Sequence, residues 1–84
     1  MFSYLFTFQT LTAAQRARCM LRAAKKNPRL TRAPAEAARH GCQYALIVKG
    51  AEGLACVKAL RAASLPYEKL YLLHPDGSVR EAEL

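Results

Sequence analysis

Apolar and polar positions alternate between residues 3 and 8, with Tyr4, Phe6 and Phe8 in one phase and Leu5 and Thr7 in the other. A period of two predicts a short strand with its aromatic side on a core. From residue 12 the period lengthens. Ala13, Ala17, Met20, Leu21 and Ala24 recur at helical spacing, while Gln15, Arg16, Arg18 and Arg22 fall off that stripe. The spacing predicts a helix over 12–25 or 12–26. Either Thr10 or Thr12 can cap it by accepting a bond from a first-turn N–H. Lys25 and Lys26 suit the negative end of the helix dipole, and Asn27-Pro28 stops the helix. Residues 29–32 predict an edge strand with Leu30 inward. Ala33-Pro34 breaks it, residues 35–40 make one or two helical turns, and Gly41 closes them at a positive φ. Residues 43–49, with an unbroken apolar run at 44–48, are the strongest strand. A second long helix is expected over 51–63, with Gly53, Cys56, Val57, Leu60 and Ser64 on one face and Glu52, Lys58 and Arg61 outside it. Leu65-Pro66 ends it, residues 69–73 form the next strand, and His74-Pro75-Asp76-Gly77 is a turn signal.

The order strand, helix, strand, strand, helix, strand defines an α+β chain. Its economical solution is a ferredoxin-like β-α-β-β-α-β fold: an antiparallel sheet with two helices on one face, joined by right-handed crossovers. Residues 1–75 make that single domain, and residues 76–84 are a C-terminal tail or an extra hairpin strand. In this topology the strand at 43–49 begins where the first strand stops. Cys42 then lies beside Thr10 and Thr12 and the start of the first helix.

Composition sets the scale. The chain has 84 residues, 52% of them hydrophobic, enough for one thin core and too few for a deep substrate cavity. The apolar runs are far too short to span a bilayer, so no membrane partner is expected. Residues 1–8 have neither a basic lead nor a small-residue cleavage site, so no signal peptide is expected. The net charge is +7, and all of it lies in the first half. Residues 1–48 carry Arg16, Arg18, Arg22, Lys25, Lys26, Arg29, Arg32 and Arg39 against Glu36; the remainder is balanced. Such a patch is a solvated helix face or an attractor of nucleic acid, phosphate or acidic protein.

Three cysteines, Cys19, Cys42 and Cys56, are an odd number without a Cys-x-x-Cys pair. That argues against a disulfide framework and a structural metal site, and fits a reducing cytoplasm. Cys56 belongs to the buried stripe of its helix, and Cys19 faces away from the first helix's stripe. Cys42 reads either as a small buried hydrophobe or as a reactive thiol open at the rim of the domain: at a helix start its thiolate is favoured by N–H donors, and Arg39 and His40 act in the same direction. No carboxylate pair, Ser-His-Asp set or glycine-rich phosphate loop is present.

The Tyr4-Leu5-Phe6-Thr7-Phe8 strand, the helix over 14–21 and the central pattern of Pro34, a short helical stretch and Cys42 before a hydrophobic strand carry a resemblance. Over residues 4–73 the chain resembles the selenium/sulfur carrier-like small domain family, long described as a domain of unknown function. It departs from the family pattern in having Ala35 rather than Arg after the proline, and Gln43 rather than Gly after the cysteine. The resemblance implies a carrier rather than a stand-alone catalyst. Cys42 would hold sulfur or selenium as a persulfide or selenopersulfide, supported by Pro34, Arg39, His40, Gly41, Thr10 and Thr12. It needs no cofactor or metal. Its partners would be donor and acceptor proteins, a cysteine desulfurase among the candidate donors, docking on the basic face of residues 16–39. The chain itself would be a monomer or weak homodimer. The alternative is a non-catalytic module using that face to contact RNA or an acidic protein. RNA is disfavoured because the alternating aromatics Tyr4, Phe6 and Phe8 are placed for packing under helices.

Overall fold

The computed structural model describes residues 2–39 and 41–84. Its elements in chain order are β1 (Ser3–Phe8), α1 (Leu11–Ala23), β2 (Arg29–Arg32), α2 (Ala35–Ala38), β3 (Tyr44–Lys49), a 3₁₀ turn (Gly50–Glu52), α3 (Gly53–Ala62), β4 (Leu70–Leu73) and β5 (Val79–Glu81). The strands form one antiparallel sheet in the order β2-β3-β1-β4-β5. β5 (Val79–Glu81) folds back on β4 as an antiparallel hairpin at the end of the sheet.

The predicted period-two split of β1 is realised. Phe6 and Phe8 join Leu46, Val48 and Leu70 against Ala14, Ala17 and Leu21 of α1 and Cys56, Val57 and Leu60 of α3. This is the main core, and α1 and α3 both lie over it. Each large side chain removed from water there contributes about 1.5–3 kcal/mol. Phe6 is completely buried and meets Tyr67 edge-to-face at 4.9 Å. Tyr4, at the margin, packs its ring over Gly53, the first residue of α3, where an added Cβ would run into that ring. The 3₁₀ turn takes up the residues expected as the first turn of this helix.

The long helices end by one device. Thr10 caps α1, its hydroxyl accepting from Ala13 N–H at 3.1 Å. At its other end Lys25 N–H donates to Arg22 O and Lys26 N–H to Leu21 O, with Lys25 at φ 65°. At the end of α3, Ser64 N–H donates to Arg61 O and Leu65 N–H to Leu60 O, with Ser64 at φ 55°. These are Schellman endings, in which a left-handed residue turns the chain back over the last carbonyls. Nothing in composition marked Lys25 or Ser64 for that role, because glycine is the usual occupant.

The opposite face of the sheet carries a smaller cluster of Leu5, Ala37, Cys42, Ala45 and Tyr71, flanked by Ala33, Ile47 and Val79. α2 supplies Ala37 and covers this patch.

Candidate functional site

Cys42 is held by two elements. On its N-terminal side α2 ends as the long helices do: Gly41 N–H donates to Ala38 O at 3.0 Å and Cys42 N–H to Ala37 O at 3.2 Å, with Gly41 at φ 88°. The residue after the left-handed turn typically makes an apolar contact back onto the helix, and Cys42 shares its cluster with Ala37. On its C-terminal side Gln43 N–H donates to Phe8 O at 3.1 Å, although Phe8 is the register partner of Tyr44. Two residues therefore oppose one, the arrangement of a β-bulge. Strict alternation would put Cys42 in phase with Tyr44 and Leu46, under the long helices. The bulge re-aims it onto the far face.

This corrects two expectations. Cys42 does sit at the end of the sheet where β1 stops, but its thiol is only 1% exposed rather than open at the rim. Nor does it meet the start of α1, because the sheet lies between them. Thr10 and Thr12 line a shallow cleft of about 460 Å³ with Phe8, Arg16, Ser64 and Glu68, on the helix side. The helix-dipole argument for a favoured thiolate therefore does not apply here.

The other supporting residues have identifiable roles. Pro34 opens α2 in an extended conformation, and its carbonyl accepts from Ala37 and Ala38 N–H, both at 3.0 Å. Gly41 has open space where a Cβ would be, so its backbone conformation alone calls for glycine. Arg39 is exposed and donates its N–H to Ala35 O at 3.1 Å. His40 lies outside the described residues.

Sequence reasoning missed Tyr71 and the polar pair beside it. Tyr71 is 5% exposed and packs in the Cys42 cluster. Burial, then the Glu81 carboxylate, hold its hydroxyl above the ordinary phenol range. Lys69 Nζ contacts Glu81 Oε1 at 2.8 Å, and this hydrogen-bonded ion pair raises the Lys69 pKa. The signal for this group is hairpin register, since β5 places Glu81 opposite Tyr71, and the sequence pattern does not decide whether residues 76–84 pair as a strand.

The other thiols separate cleanly. Cys19 is exposed, whereas Cys56 is wholly buried in the main core. Burial raises the Cys56 pKa, Glu52 adds to the rise, and Lys26 opposes it. Among the described residues no group of three His, Cys, Asp or Glu side chains converges for a metal ion. No helix among them is long and apolar enough to cross a membrane.

Of the basic residues, Arg16, Arg22, Lys25, Arg29, Arg32 and Arg39 are exposed, and Arg18 and Lys26 are half-buried. Arg18 Nε is shielded and has no partner among the described residues.

Residues 3–72 match the sequence profile of a family described as putative Se/S carrier protein-like. No curated protein and no solved structure matches the chain significantly.

Proposed function

Since the chain belongs to the Se/S carrier-like family, we propose that it is a carrier of sulfur or selenium on Cys42, seen here with that thiol closed. The observation that carries this reading is the thinness of the cover. Cys56 is carried by α3 itself and sits in the main core, but Cys42 is shielded by the four-residue α2, whose N-cap makes no side-chain hydrogen bond. A short segment held by a few backbone bonds and one buried alanine opens at far lower cost than the main core. Docking of a donor would lift α2 and present the thiol.

The transfer step balances without an added oxidant. The Cys42 thiolate attacks the outer sulfur of a donor persulfide. The donor S–S bond breaks as the Cys42 S–S bond forms, and the proton lost by Cys42 ends on the departing donor thiolate. A selenium donor follows the same course. Burial then protects the loaded sulfur from water and stray thiols. We read the sheet order β2-β3-β1-β4, with α1 and α3 on one face, as a ferredoxin-like frame to which α2 and β5 are added. Donor and acceptor enzymes in a reducing, cytoplasmic setting are the partners this role requires.

Contact through the cations of α1 and the turn after it remains as a second activity, since none of the eight basic residues of 16–39 is ion-paired among the described residues; Arg39, at the end of α2, lies across the sheet from the others on α1, so the eight do not form the single face expected. Acidic protein suits this contact better than RNA. Phe6 and Phe8 lie buried beneath the helices, and Tyr71 is covered on the far face, so the exposed stacking aromatics that RNA recognition uses are lacking there.

The test is loading with a cysteine desulfurase and either cysteine or selenocysteine, followed by peptide mass mapping. A gain of about 32 mass units for sulfur, or 80 for selenium, is expected on Cys42 and is lost in Cys42→Ser. Loading confined to Cys19, or Cys42 alkylation no faster than global unfolding, defeats the proposal.

A further inference from the structure

β2 is an edge of the sheet: it pairs with β3 on one side, and among the described residues no strand lies on the other. Its free backbone groups follow from the register. Ala33 N–H donates to Gln43 O at 3.0 Å. In an antiparallel ladder the residues in phase with Ala33, namely Thr31 and Arg29, also turn their N–H and C=O toward β3. Leu30 and Arg32 therefore turn theirs outward. Two donors and two acceptors at two-residue spacing are a template for one more strand. The Leu30 side chain packs against the main core, so the edge is anchored rather than loose.

The charges select the occupant. Arg29 is registered with Ile47, and Arg32 with Tyr44. Ile47 borders the Cys42 cluster and Tyr44 the main core, so the two arginines project on opposite faces of the edge. Both are exposed, and neither is ion-paired among the described residues. Joining β2 to β2 of a second copy would set two edges of the same positive charge side by side with no carboxylate between them, which is unfavourable. An acidic strand turns the same charges into attraction.

We propose that the β2 edge takes up an extended acidic segment of a partner protein by strand addition, carboxylates of that segment pairing with Arg29 and Arg32. The site adjoins the thiol cover: Ala33, next after β2, flanks the Cys42 cluster, and α2 begins two residues on. A partner seated here lies alongside the segment that must lift. The inference names the partner class for the carrier reading but does not need Cys42 to be loaded.

The probe is a short synthetic valine peptide carrying two glutamates three residues apart, so that one carboxylate falls on each face of the added strand, titrated at low salt by amide NMR. Its lysine–valine counterpart and a single-stranded RNA oligomer serve as comparisons. The glutamate peptide is expected to bind and to protect the Leu30 amide from hydrogen exchange. Arg32→Gln removes a charge. Arg32→Pro removes the same charge and the outward donor, at an edge position where proline is compatible with a strand. The proline variant is expected to bind about tenfold more weakly than the glutamine variant. The Leu30 protection is read in the wild-type protein and so does not depend on how that variant folds. Cys42→Ser is expected to leave peptide binding unchanged, which separates failure here from failure of the carrier reading. Equal binding of the Pro and Gln variants, an unprotected Leu30 amide, or equal or tighter binding of the lysine peptide or RNA would overturn strand addition.

Discussion

Replacing Thr7 by valine tests how the entry to β4, and with it Lys69 and Tyr71, is fixed beside Cys42. Thr7 is fully buried. Its Oγ1 accepts from Lys69 N–H at 3.0 Å and donates to Lys69 O at 3.1 Å, while the Thr7 carbonyl accepts from Glu68 N–H at 2.9 Å. Glu68 has taken the carbonyl that Lys69 N–H would otherwise use, and the hydroxyl makes good the loss. Valine keeps the shape and removes the oxygen. Lys69 O retains the Thr7 N–H at 3.0 Å, but Lys69 N–H is left without a partner. An unsatisfied buried donor costs about 1–3 kcal/mol, and the site is only partly buried, which favours the lower half of that range. The added methyl returns less than about 0.8 kcal/mol. The net loss is about 1 kcal/mol, or a fall in Tm of about 4–8 °C for a chain of this size. Urea unfolding followed by circular dichroism gives the stability, and hydrogen exchange at the Lys69 amide gives the cause. Thr7→Ser loses a buried methyl but should keep that amide protected, whereas Thr7→Val should expose it. A valine variant as stable as wild type with the Lys69 amide still protected would refute the reasoning.

Ser64→Gly, and separately Lys25→Gly, should each stabilise the protein by about 1 kcal/mol in urea titrations, because both residues hold a left-handed conformation that glycine adopts freely; a loss of stability would show that their side chains hold the helix ends. Gly53→Ala should destabilise by about 1–3 kcal/mol, since the new methyl meets the Tyr4 ring, and a neutral effect would mean that the ring moves aside without cost. Acid should loosen the β4–β5 hairpin. Asp76 Oδ1 accepts from Ser78 N–H at 2.9 Å and Ser78 Oγ at 2.6 Å, and these bonds lower its pKa. The stabilisation is complete above the unfolded carboxylate value of about 3.9 and is lost as pH falls through the lower folded value. NMR of the Ser78 amide should follow that sign, and Asp76→Asn should abolish the titration.

Much of the frame was legible in local pattern. The alternation of Tyr4, Phe6 and Phe8, the stripe around Ala17 and Leu21, and the Asn27-Pro28 and Leu65-Pro66 stops all report burial periodicity and backbone restriction, which are local properties. The same is true of Gly41, whose positive φ closes α2, and of the assignments of Cys56 to the core and Cys19 to solvent.

What sequence alone determined about this protein is therefore its elements, their buried faces and the residue types at the sheet's end. What only the tertiary structure decided is where the sulfur of Cys42 points. One extra residue opposite Phe8 reverses the phase of the chain before β3, carrying the thiol from the start of α1 to a closed cluster with Tyr71. The hydrogen bond responsible joins Gln43 to Phe8, partners 35 positions apart in the chain. A bulge is a property of strand pairing, so no periodicity within 41–49 could reveal it. The Lys69–Glu81 pair follows the same rule, since it exists only because β5 folds back on β4.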